Sequence, residues 1–100
     1  MIPARFHAAA LEELQAEVSY YAEISPMLEE ALLRSVEQAL QLAREFPEMG
    51  APYKYGTRRV FPKRFPLAVV YLHRKDEVYV VALAPFRRKP AYWKSRGKEE

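Results

Sequence analysis

The chain has no cysteine and only three glycines in its 100 residues, and no apolar run approaches the roughly 18 residues that a membrane span requires. Without cysteine there is no disulfide framework, no thiolate metal site and no cysteine nucleophile. A cytoplasmic location fits that composition. Gly50 and Gly56 fall in a Pro-containing stretch that reads as turn, so no Gly-rich loop is present to cradle a phosphate. The opening Met1-Ile2-Pro3-Ala4-Arg5 lacks the basic-then-apolar layout of a signal peptide. Histidine is equally scarce. His7 and His73 are the only two, too few for a zinc site unless carboxylates cluster beside them, which the sequence does not offer. No metal and no cofactor are expected.

What is present is a good core and a lopsided charge. Half the residues are apolar and 13% are aromatic, enough for one domain without covalent staples. Residues 1–96 are expected to form that domain, with 97–100 fraying. Residues 1–50 carry three arginines against nine glutamates, a net charge of −6, whereas residues 51–100 carry thirteen Lys and Arg against four acids, a net of +9. Two explanations compete. Either one surface is built for an anionic partner, or the two halves attract each other within the fold.

The hydrophobic period gives the elements. Residues 2–7 read as an edge strand, because Pro3 cannot sit in a central ladder. Ala8 to Ile24 reads as a helix with Leu11, Leu14, Val18 and Tyr21 on its apolar stripe; Glu12, Glu13 and Glu17 lie off it and read as a solvated face. Ser25 is placed to cap a second helix that begins at Pro26, where the missing N–H costs nothing. This helix carries Leu28, Leu32, Val36, Ala39 and Ala43, flanked by Leu33 and Leu40, and ends at Phe46 before Pro47. So short a link implies an antiparallel helical hairpin. Glu48 to Thr57 reads as loop. Arg58–Phe61, Leu67–His73 and Val78–Leu83 read as strands, with Arg74 to Glu77 as a four-residue hairpin connection. The last two strands are apolar at nearly every position, so their sheet must be covered on both faces. The hairpin covers one. The other is left to the C-terminal segment, a second copy or a partner. The expected fold is α+β: the helical hairpin packed on a mainly antiparallel sheet of three or four strands.

Two segments carry a family resemblance. Arg64-Phe65-Pro66-Leu67-Ala68-Val69-Val70-Tyr71 resembles the Arg-Phe-Pro-Tyr-x-Ile/Val-x-Tyr strand of ParE-like proteins in the RelE/ParE toxin superfamily. Ala82-Leu83-Ala84-Pro85-Phe86-Arg87-Arg88-Lys89-Pro90-Ala91-Tyr92-Trp93 resembles their Ala-x-Ala-His-x-x-Arg-x-Pro-x-Tyr-Trp ending. The likeness covers nearly the whole chain and is stronger on the ParE-like side. Pro85 stands where that ending usually carries a histidine, so any action that depends on that imidazole is lost here. The resemblance implies a toxin of a type II toxin–antitoxin pair, a plasmid-stabilisation type of device, neutralised by a cognate antitoxin whose disordered segment folds around it. ParE-like members poison DNA gyrase; RelE-like members cleave mRNA in the ribosome. A non-toxic nucleic-acid-binding or adaptor domain of the same fold is the third reading. A homodimer and a hetero-oligomer with antitoxin both remain open.

Cutting RNA through its 2′-hydroxyl needs a proton acceptor, a proton donor and cations for the phosphorane. The cations suffice and the shuttles do not, so His7 and His73 read as incidental and the catalytic residues stay unassigned. If the chain is a ribonuclease, the candidates are Arg59, Arg64, Arg88 and Tyr92, the last acting as an acid if neighbouring guanidiniums lower its pKa. The expected target-binding set is Arg64, Arg87, Arg88, Tyr92, Trp93 and Arg96, since arginine grips phosphates and carboxylates bidentately. Arg58 and Arg59, adjacent on a strand, point to opposite faces, so only one can join a given patch. Tyr92 and Trp93 are also the best candidates to pack over the second sheet face.

Overall fold

A computed structural model describes residues 1–98. Its order is β1 (Ala4–Phe6), α1 (Ala8–Ile24), α2 (Pro26–Glu45), β2 (Ala51–Pro52), β3 (Arg58–Val60), β4 (Leu67–Arg74) and β5 (Glu77–Pro85), with 3-10 turns at Lys54–Gly56 and Arg96–Lys98. Of the four residues expected to fray, Gly97 and Lys98 lie in the second of these turns; Glu99 and Glu100 lie outside the described residues.

The two helices start where their caps say. His7 Nδ1 accepts from the Ala9 N–H at 3.0 Å and Ser25 Oγ accepts from the Met27 N–H at 3.1 Å, each satisfying an orphan donor of the first turn. On α2 Leu32, Val36, Ala39 and Ala43 are buried and Leu28 and Leu40 half-buried as expected, but Leu33, read as widening the stripe, is exposed. On α1 the buried face is rotated. Ala10 is fully buried, Leu14, Val18 and Tyr21 pack on the core, and Leu11 is exposed. The turn of the helix that this rotation brings inward carries Glu13 and Glu17, which are not a solvated face.

The sheet has five strands in the order β1-β5-β4-β3-β2, all antiparallel except β1, which runs parallel to β5. It is larger than the three or four strands read from the sequence. The addition is β2, two residues inside the Gly/Pro loop with no period of their own. Arg58 fixes that loop by donating from Nη1 to the Glu48 and Gly50 carbonyls, both at 2.8 Å. Gly50 has to be a glycine there, because a Cβ would run into the Tyr71 hydroxyl, which donates to the Pro47 carbonyl at 2.7 Å. The β4–β5 connection is tighter than expected: Arg74 pairs with Glu77, leaving Lys75 and Asp76 as the turn.

A bulge sets which side chains share a face. Val70 pairs with Ala82 and Tyr71 with Val80, so Val81 is the extra residue. Val81 and Ala82 therefore both belong to the outer face, and Leu83 returns to the helix face. The helix-side core joins Leu67, Val69, Tyr71, Val78, Val80 and Leu83 to the hairpin. On the outer face Ala68, Val70, Tyr79, Val81 and Ala82 are covered by Trp93, which is 2% exposed, with Tyr53, Ala91 and Tyr92 around it. The chain's own tail covers most of the second face, so its apolar core needs no partner to bury it.

Truncating Trp93 removes the lid of the outer core. Trp93→Ala is expected to cost about 3–5 kcal/mol in urea or guanidinium unfolding. A loss below about 1 kcal/mol, the range of ordinary surface changes, would place the ring outside the core.

Candidate functional site

The site begins with an edge that cannot pair. The parallel ladder of β1 ends where the His7 N–H donates to the Val80 carbonyl at 2.9 Å, after which the chain turns into α1. Beyond that point β5 has lost its neighbour. Its backbone groups there are met by side chains instead. Arg96 Nη1 donates to the Val81 carbonyl at 2.9 Å, Glu13 Oε1 accepts from the Leu83 N–H at 3.1 Å, and the Tyr92 hydroxyl donates to the Leu83 carbonyl at 3.4 Å. Left unmet, each such buried group would cost about 1–3 kcal/mol.

The same side chains bind one another. Arg96 holds Glu13 through two bonds, Nη1 to Oε1 at 2.9 Å and Nη2 to Oε2 at 3.1 Å, with both side chains about six-sevenths buried. Arg88 approaches Glu13 at 3.6 Å and lays its guanidinium 3.8 Å from the Tyr92 ring centre. Arg87 reaches Glu17 at 3.2 Å; Glu17 is buried while Arg87 is exposed. The glutamates of α1 thus engage three arginines of the expected target-binding set. For those three, the mutual attraction of the two halves is the outcome.

Burial, then the neighbouring Glu13 carboxylate, push the Tyr92 hydroxyl well above the ordinary tyrosine range, overriding the opposite pull of Arg88 and Arg96. The lowered pKa that an acid role required is therefore reversed. The physical reason is burial first and Glu13 second, neither of which the sequence placed at the ring.

Arg59 and Arg88 do come together. They line one hollow of about 170 Å³ floored by Ala68, Val70, Ala84 and Trp93 and rimmed by Tyr53, Phe86 and Tyr92. The Arg59 guanidinium lies 3.7 Å from the Tyr53 ring centre, and its buried Nε has no hydrogen-bond partner among the described residues. Arg58 points the other way to the loop, as strand alternation requires. Pro85 lines the hollow at the position of the motif's histidine, leaving no imidazole there. Arg64 stands apart. It is exposed in the β3–β4 turn, which Ser35 Oγ ties to α2 by donating to the Lys63 carbonyl at 2.7 Å, and it does not line the hollow. Arg64 also adopts a left-handed backbone, with φ of 77°.

Of these residues, Glu13, Glu17, Tyr53 and Phe86 were not anticipated as part of the site. Glu13 and Glu17 had one available signal, their four-residue spacing on a single helix face. Tyr53 had none, since a loop carries no period.

The buried pair gives a clear expectation. Arg96→Met strips Glu13 of its two-bond partner, leaving only the 3.6 Å approach of Arg88, and should cost about 3 kcal/mol in chemical denaturation. Glu13→Met alone should cost a similar amount. The double variant should lose less than the two single losses added together, and a purely additive result would show that the two side chains do not act as a unit.

The family model for the ParE toxin of type II toxin–antitoxin system, parDE, matches residues 4–90. Among solved structures, the chromosomal ParDE TA system from P. aeruginosa superposes with a TM-score of 0.73 at 17% identity, covering 85% of this chain and 96% of that one. At that identity the likeness establishes the fold. No curated protein matches. With the family match running from β1 through the tail's Arg87-Arg88-Lys89-Pro90, this chain belongs to the ParE toxin family of type II toxin–antitoxin systems.

Proposed function

We propose that this toxin arrests growth by binding and poisoning DNA gyrase in the cytoplasm, and that a cognate antitoxin neutralises it. The observation that carries the reading is the hollow between Arg59 and Arg88. It offers guanidiniums and aromatic rims but no imidazole to move a proton, because Pro85 stands at the motif's histidine position, and its Tyr92 hydroxyl is pushed up and tied to a backbone carbonyl. A binding poison needs only anchors and complementary charge. An RNA-cleaving enzyme loses about a hundredfold or more with each missing acid or base. The hairpin's exposed Leu33, Leu42 and Phe46 give an antitoxin apolar surface to cover. This replaces the outer sheet face, which the tail already occupies, as the surface to be shielded.

Purified toxin is expected to inhibit supercoiling by gyrase, and induced cells should filament with damaged DNA while translation continues. Arg59→Gln and Arg88→Gln should weaken inhibition about tenfold or more, as for central interface arginines, while both variants still unfold cooperatively. Translation arrest within minutes, with mRNAs cut at ribosomal positions, would instead establish the ribonuclease. If neither effect occurs in cells lacking every antitoxin, the adaptor reading holds. Antitoxin at about 100 times its Kd should raise the toxin's stability by about 2.7 kcal/mol, read as a higher melting midpoint of the complex. An unchanged midpoint would show that the partner does not bind the folded state.

A further inference from the structure

The arginines of the tail reach the carboxylates of α1, but its lysines do not. Lys54 from the 3-10 turn after β2, and Lys89 and Lys94 from the tail, line a second, open hollow of about 290 Å³ next to the first, and among the described residues no carboxylate lines it. All three are exposed, and among the described residues no ion pair engages them. Between them stands Tyr55. Its ring is 61% exposed and meets the buried Trp93 edge-on, with centroids 6.3 Å apart, so the indole supports it from the protein side. The rings of Tyr53, Tyr79 and Tyr92 each have a guanidinium over them, whereas among the described residues no cation covers the Tyr55 ring. Its backbone is left-handed, at φ 61° and ψ 35°, a conformation that a bulky L-residue adopts only at a cost. The fold therefore holds an exposed aromatic face at a fixed place among three exposed cations that no described carboxylate pairs.

We infer that Tyr55, with Lys54, Lys89 and Lys94, forms a binding site for single-stranded nucleic acid, the ring stacking on an unpaired base and the lysines holding the phosphates on either side. An acidic peptide would satisfy the lysines but has no use for an exposed ring, while a duplex would satisfy them but has no free base face to offer. Stacking rings set among backbone-tracking cations are how proteins hold single strands without reading sequence. The site goes beyond the gyrase reading, and its test contains no gyrase, so either can fail without the other.

The test is fluorescence anisotropy of the purified chain with a labelled oligothymidylate of about 20 nucleotides, a duplex of equal length and a labelled oligoglutamate peptide. The single strand should bind at least about tenfold more tightly than either competitor. Tyr55→Phe should keep that affinity and Tyr55→Ala should lose about tenfold, the size of one stacking contact. Tyr55→Gly relieves the left-handed backbone and serves as the control for folding: it should lose binding while remaining cooperatively folded. Replacing Lys54, Lys89 and Lys94 together by Gln should flatten the slope of log affinity against log salt by about 2, since each phosphate contact on a single strand contributes about 0.7. The proposal is overturned if the oligothymidylate does not bind at about 50 mM salt. Equal binding of the duplex with Tyr55→Ala unaffected would reduce the surface to plain charge. Tighter binding of the oligoglutamate would make it a site for an acidic protein segment.

Discussion

Much of the molecule hangs on the stretch of β5 that outruns its parallel neighbour. A strand in mid-sheet satisfies its backbone from both sides, but β1 is only three residues long and gives way to α1 at His7. From Val81 to Leu83 the edge of β5 faces side chains. Glu13 comes from α1, and Arg96 and Tyr92 come from the tail, so three parts of the chain distant in sequence meet on three backbone groups. The bulge at Val81 lies within this stretch and also decides that Val81 and Ala82 both face the tail. Docking the tail buries Trp93, and docked Trp93 in turn roofs the outer core and supports Tyr55.

This arrangement changes what the basic half of the chain is for. A net of +9 over fifty residues invites the picture of one continuous cationic surface. Instead the charge is divided by residue type. Arg87, Arg88 and Arg96 meet Glu13 and Glu17 of α1, and Arg58 holds a loop. Arginine suits these partly buried posts because its fork makes several directed bonds at once. Arg59 stays in the hollow with one nitrogen unpartnered, and the lysines, which bond less directionally, remain at the surface. An anionic target would meet Arg59, the exposed part of Arg88 and the lysines rather than the whole arginine set.

The family assignment and the chemistry rest on different residues. The motifs that identify the family lie in β4, β5 and the tail, and most of their side chains build the core: Phe65, Leu67, Val69, Tyr71 and Trp93 are all buried. Membership is therefore mostly a statement about the fold. What the toxin does is decided by a few groups left over from packing, and there this chain departs from the motif, with a proline where a histidine usually stands.

The sequence by itself determined the local elements. Both helices begin at their expected residues because a cap and a proline act within one turn, and β4 and β5 follow from uninterrupted apolar runs. It also determined that the sheet needs two covers. It did not determine β2, a two-residue pairing that exists only because Arg58 and the neighbouring turn hold it in place. Nor did it determine the fate of Glu13, Arg96 and Tyr92. Helical spacing places Glu13 off the stripe of leucines, and off the stripe ordinarily means in water. Whether a polar side chain is solvated or buried depends on which neighbour reaches it, and here that neighbour is Arg96, 83 residues away. The direction of the Tyr92 shift is a tertiary outcome too, because burial, and after it the carboxylate beside the ring, outweighs the two guanidiniums that the sequence had placed near it. Periodicity and caps report forces that act over a few residues; only the closed tertiary structure decides which charges end up together.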